Sequence, residues 1–168
     1  MKLGDVVLCV NTSGRVSDFG ITCQRHVMLR LKRVFERVSK SSFNEARLGN
    51  TPENAKELLW FLGRFPMAME PRVEEYLRAR ALEYDQRQQL LAAMDAPDYV
   101  PRAFEMAIPP RGYQRYAADR WLTSKTLLLA DDVGLGKSAS AIAGLTDPRT
   151  RPALVVTMTH LTRQWKAE

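Results

Sequence analysis

Residues 126–138 read Thr126-Leu127-Leu128-Leu129-Ala130-Asp131-Asp132-Val133-Gly134-Leu135-Gly136-Lys137-Ser138. The first five form a continuous apolar run, the pattern of a parallel strand buried on both faces. Gly134 and Gly136 then let the backbone turn its amides toward an anion with no Cβ in the way. From Lys137 to Leu145 the chain is alanine-rich with helical spacing, and Thr146-Asp147-Pro148 stops it. A helix opening directly after such a loop presents unpaired N–H groups and the positive end of its dipole. This order predicts a phosphate-binding loop in which Asp131, Asp132, Val133, Gly134, Leu135, Gly136, Lys137 and Ser138 surround the phosphates. Lys137 would reach the β- and γ-phosphates, and the Ser138 hydroxyl would ligate Mg²⁺. The strict form of the pattern places glycine six positions before the lysine; this chain has Asp131 there.

Working outward, Ala153-Leu154-Val155-Val156 is a second apolar run, and a helix is expected to begin near His160. Upstream, Tyr113 to Leu122 has helical spacing. Helix, strand, loop, helix, strand, helix is the grammar of a βαβ unit, so the fold class expected is α/β. Pro97, Pro101, Pro109 and Pro110 punctuate the stretch before it. Proline restricts itself and its predecessor to extended conformations, which makes residues 97–110 a stiff connector. The expected organisation is an accessory α+β region over 1–96, that connector, and an incomplete α/β lobe over 111–168.

Within the accessory region, Val6 to Val10 reads as a strand followed by a turn at Asn11-Thr12-Ser13-Gly14. His26 to Val38 is ambiguous, and the alternation of Val27, Leu29 and Leu31 favours a strand. Thr51-Pro52 starts a helix, with Thr51 as N-cap and Pro66 as its stop. Glu70-Pro71 opens another, with an apolar stripe of Val73, Leu77, Tyr84, Leu91 and Met94.

Charge is distributed unevenly. Residues 1–50 carry nine Lys/Arg against four Asp/Glu, whereas residues 51–100 carry six against nine. Arginine dominates the basic residues, and its planar fork suits phosphate. Two cysteines, Cys9 and Cys23, are too few for a disulfide framework or a four-ligand zinc site. No apolar run is long enough to span a bilayer, and Met1-Lys2-Leu3-Gly4-Asp5 is a poor signal peptide. The expectation is a cytoplasmic protein with no membrane partner and no metal beyond nucleotide-bound Mg²⁺.

Read with its flanks, the segment resembles the first RecA-like lobe of Swi/Snf-type ATPases of helicase superfamily two, in their bacterial or phage members. That family's first motif runs Ala-Asp-(Asp/Glu)-x-Gly-Leu-Gly-Lys-(Thr/Ser), and residues 130–138 match it throughout. The upstream Arg-x-Tyr-Gln element stands as Arg111-Gly112-Tyr113-Gln114, with Pro110 where leucine is usual. Downstream, Leu154 to Glu168 matches the next motif, with Met158 in place of the usual proline. The resemblance covers residues 108–168. It implies ATP and Mg²⁺ as cofactors, Lys137 as the catalytic lysine of the loop, and Gln114 as reader of the adenine edge. It further implies double-stranded or branched DNA as partner, with Thr157, Thr159 and Arg163 on its backbone.

ATP hydrolysis also needs an acidic pair and an arginine from a second lobe. The chain has no Asp-Glu dipeptide, and two parallel strands make a small sheet. The expectation is therefore the start of a longer helicase or translocase, inactive as a motor by itself. The alternative is a truncated nucleic-acid-binding module that uses its basic first fifty residues. A compact P-loop kinase is disfavoured because it needs a complete sheet and its own magnesium carboxylate.

Overall fold

The computed structural model describes residues 2–167. The chain divides into two compact units, residues 1–86 and 87–168. Both helices and strands are present, so the mixed α and β class holds. No helix among the described residues is long and apolar enough to cross a membrane.

The first unit starts with a hairpin of β1 (Gly4–Val10) and β2 (Val16–Cys23), antiparallel from Gly4↔Cys23 to Val10↔Val16 with an irregularity at Cys9/Val10. Its turn is built as the sequence requires. Asn11 Oδ1 accepts from the N–H groups of Ser13 and Arg15, both at 3.0 Å, and Gly14 takes φ +72°. β3 (Glu45–Gly49) adds antiparallel to β2, giving the order β1-β2-β3. Val6, Phe19, Ile21, Ala46 and Leu48 alternate onto one buried face.

That face belongs to one core with α1 (Arg25–Val34), α2 (Pro52–Arg64) and the first turns of α3 (Pro71–Met94). Val27, Met28 and Leu31 enter it from α1, Ala55, Leu58 and Phe61 from α2, and Val73, Leu77 and Ala81 from α3. Thr51 caps α2 as expected, its hydroxyl accepting from Asn54 N–H at 3.2 Å. Asn50 ties the elements together. Its amide donates to Val16 O at 2.9 Å and to the Tyr76 hydroxyl at 2.8 Å, while Arg80 donates to both its side-chain and main-chain oxygens.

The strand expected over His26–Val38 is corrected to a helix, α1. In a strand, Leu29 would share the core face with Val27 and Leu31. In the helix it is turned out at 55% exposure while Met28 is buried. Only the helical period keeps Arg25, His26, Arg30 and Arg33 in water while Val27, Met28 and Leu31 are buried. β2 and β3 were not expected.

The second unit contains α4 (Gly112–Ser124), α5 (Lys137–Leu145), and a short α6 (Thr162–Ala167) preceded by a 3-10 turn at Thr159–Leu161. α5 has the bounds read from the sequence. Ala117, Ala118, Leu122, Ala143 and Gly144 are buried. Trp121 lies so close over Gly144 that a Cβ there would stand 2.2 Å from its ring. Buried Asp119 holds the proline-rich stretch, accepting from the Tyr99 hydroxyl, from Arg102 N–H at 3.1 Å and from Arg102 Nε at 2.5 Å.

The two apolar runs expected as buried parallel strands are not strands. Residues 126–130 and 153–156 join no ladder among the described residues. Alternation survives in them nevertheless. Leu127 and Leu129 line a small cavity with Ala117 and Trp121, and Ala153 and Val155 face Ile142 and Trp165. Leu128, Leu154 and Val156 are turned outward at 91%, 90% and 88% exposure. A strand exists through the hydrogen bonds of its neighbours, and neither run has one beside it.

Candidate nucleotide-binding site

The loop 130–136 enters α5 through two glycines in left-handed conformations, Gly134 at φ +89° and Gly136 at φ +73°. These positions strain any residue with a Cβ. At Gly136 there is a second reason for glycine, since a Cβ would come within 2.6 Å of Gln114 Nε2. Gly136 is also the N-cap of α5, with no side chain capping it. Among the described residues, the main-chain N–H groups of Gly136, Lys137 and Ser138 donate to no protein acceptor. They are the orphan donors of a helix start.

Lys137 folds back over the loop. Its Nζ donates to Asp131 O at 2.8 Å and Asp132 O at 2.9 Å, drawing those carbonyls together beneath an ammonium group. The loop's other predicted members are open to solvent. Val133 is 99% exposed, and Asp132, Leu135 and Ser138 are exposed as well, whereas Asp131 is half-buried.

α4 holds the loop from the other side. Gln114 occupies the third helical position and its Oε1 accepts from Arg111 N–H at 2.9 Å, half of a capping box. Its Nε2 donates to Leu135 O at 3.1 Å and Gly136 O at 3.4 Å. Gln114 is therefore buried and engaged at both ends of its amide. Tyr113 donates its hydroxyl to Leu135 O at 2.9 Å. The sequence gives Tyr113 no role of its own, and its place beside Gln114 is the signal for one.

The structure thus brings Gln114 and residues 131–138 together. It does not bring Thr157, Thr159 or Arg163 to the loop by any hydrogen bond or ion pair among the described residues. Thr157 is half-buried, while Thr159 and Arg163 are exposed. Thr159 O accepts from the Thr162 hydroxyl at 2.8 Å at the start of α6. No group of three or more His, Cys, Asp or Glu side chains converges on a metal-sized site among the described residues.

No family model matches the chain. No curated protein matches it either.

Proposed function

We propose that residues 130–138 bind the triphosphate of ATP with Mg²⁺, and that the chain belongs to an ATP-dependent DNA helicase or translocase. The observation that carries this reading is the loop's donor set: an ammonium, three consecutive uncommitted N–H groups at a helix start, and two left-handed glycines. Such a set suits an oxyanion, and its run of donors suits the several oxygens of a polyphosphate.

Lys137 would exchange the carbonyls of Asp131 and Asp132 for phosphate oxygens, a neutral acceptor for a charged one. The N–H groups of Gly136, Lys137 and Ser138 would take further oxygens, and the exposed Ser138 hydroxyl would stand as a magnesium ligand. Mg²⁺, when bound, would offset phosphate charge. Gln114 as adenine reader would have to release Leu135 O, so base selection and loop position would share one side chain. The lobe's RecA-like character, a cytoplasmic location in a bacterial or phage context, and DNA contacts through Thr157, Thr159 and Arg163 belong to the same proposal.

Isothermal titration calorimetry with ATP·Mg²⁺ tests it. We expect saturable uptake that Lys137→Ala weakens by roughly 10- to 150-fold, the worth of a hydrogen bond to a charged group. Absence of uptake by the folded chain, or uptake indifferent to Lys137→Ala, would overturn the reading.

A further inference from the structure

The first unit carries a groove of about 640 Å³ between α1 and α2. Its floor is apolar, with Phe61 buried and Val34 and Phe65 half-buried. Its walls are Arg30 and Arg33 from α1 and Arg64 from the last turn of α2, with His26 at one end. No Asp or Glu lines it. The nearest acid along α2 is Glu57, one turn before Trp60 and outside the lining.

Some of the chain's arginines are committed to acids, and those of the groove are not. Arg78, Arg80, Arg102, Arg120 and Arg149 each pair with a carboxylate. Among the described residues Arg30, Arg33 and Arg64 form no ion pair. α1 as a whole holds Arg25, His26, Arg30, Lys32 and Arg33 with no acid. Unpaired like charges on a ten-residue helix repel one another, and a polyanion laid along them would relieve that repulsion.

Trp60 gives the second observation. Its indole stands at the groove, 59% exposed, although it sits on a helix with a well-buried face. The Arg64 guanidinium lies over the ring, 5.8 Å from its centroid. An exposed indole backed by a cation is a platform for a flat, electron-rich ring. Beside three phosphate-suited forks and no lysine, that points to nucleic acid in preference to a lipid surface or an acidic peptide. A duplex keeps its bases stacked inside, so the ring selects unpaired bases.

We propose that this groove binds single-stranded nucleic acid, a base stacking on Trp60 and the phosphates meeting Arg30, Arg33 and Arg64. The surface lies wholly in the first unit and does not rest on the nucleotide-site reading.

Fluorescence anisotropy tests it, using the full chain without nucleotide and a dye-labelled thymidine oligomer of about fifteen nucleotides. Three phosphate contacts on a single strand predict a log–log salt slope near −2. Trp60→Ala should weaken binding by roughly 5- to 100-fold, with Trp60→Phe restoring most of it. Arg33→Ala/Arg64→Ala should weaken binding and flatten the slope. These side chains are exposed, and circular dichroism confirms that each variant is folded. The proposal is overturned by no binding at low salt, by equal affinity for a duplex of the same length, or by competition from polyglutamate or anionic vesicles at equal charge. Binding indifferent to both Trp60→Ala and the arginine pair would overturn it as well.

Discussion

Gly136 and Gln114 constrain each other at atomic distance. The glycine has no Cβ because the amide of Gln114 occupies that space, and the amide is held there by the loop's own carbonyls. Gly136→Ala should therefore both strain the left-handed backbone and eject Gln114. A loss of about 1–3 kcal/mol is expected, read as a lowered urea midpoint. Gln114→Ala should loosen the loop as well and, if the glutamine reads the base, reduce the preference for ATP over GTP in competition calorimetry. Equal ATP preference in Gln114→Ala would leave the residue as a tether alone. In the first unit, Asn50→Ala removes the three side-chain bonds that tie Asn50 to β2 and α3, and leaves the one from Arg80 to its main-chain oxygen. With the Tyr76 hydroxyl and Val16 carbonyl left short of a partner, a cost of about 1–3 kcal/mol is expected by chemical denaturation.

The elements differ in how plainly the sequence announced them. α5 was legible to the residue because glycine precedes it and Asp147-Pro148 follows it, and both signals are local. The Thr51-Pro52 start of α2 was legible for the same reason. α1 was misread because Val27, Leu29 and Leu31 imitate a strand over five residues. Only burial of Met28 and exposure of Leu29 decide the period. β3, Glu45-Ala46-Arg47-Leu48-Gly49, contains no β-branched or aromatic residue and owes its form to pairing with β2. The opposite error befell Thr126–Ala130 and Ala153–Val156, whose composition is that of strands but which join no ladder among the described residues. Their amides should exchange with deuterium far faster than those of Phe19–Ile21, as measured by hydrogen-exchange mass spectrometry. The loop itself was readable in composition and order. The tether from α4 was only half readable, since the motif named Gln114 without its partners.

Across the whole chain, apolar burial is concentrated in residues 1–86, where phenylalanine, leucine and isoleucine fill the core. In residues 87–168 the fully buried apolar side chains are mostly alanines. Exchange protection should accordingly be strongest in the first unit, and ATP·Mg²⁺ should raise it chiefly over residues 111–145. The second unit also holds a phenol and two carboxyls whose partners shift them. The Tyr99 phenol is pushed up to about 12, first by burial and then by its bond to Asp119. Its stabilising bond is whole below the ordinary tyrosine range near pH 10 and is lost as pH rises toward 12. Tyr99→Phe should remove that alkaline component from a melting-temperature profile. On the acid side, bonds from Arg120 and Tyr116 hold the Asp95 carboxyl below its usual range, and those from Arg149 do the same for Asp147. Their contribution is complete above the usual aspartate range and fades as pH falls beneath it.

The ring of Trp121 resting on Gly144 has a mechanical corollary. α4 grips the 130–136 loop by Tyr113 and Gln114, and α5 begins where that loop ends, so the gap between these helices gauges the loop's opening. A methyl group at residue 144 would wedge them apart, and the distortion would be felt at the far end, where Lys137 closes on its two carbonyls. An alanine remote from any phosphate should thus blunt ATP uptake nearly as well as damage to the loop itself, and the near-ultraviolet dichroism of Trp121 would report the wedge directly.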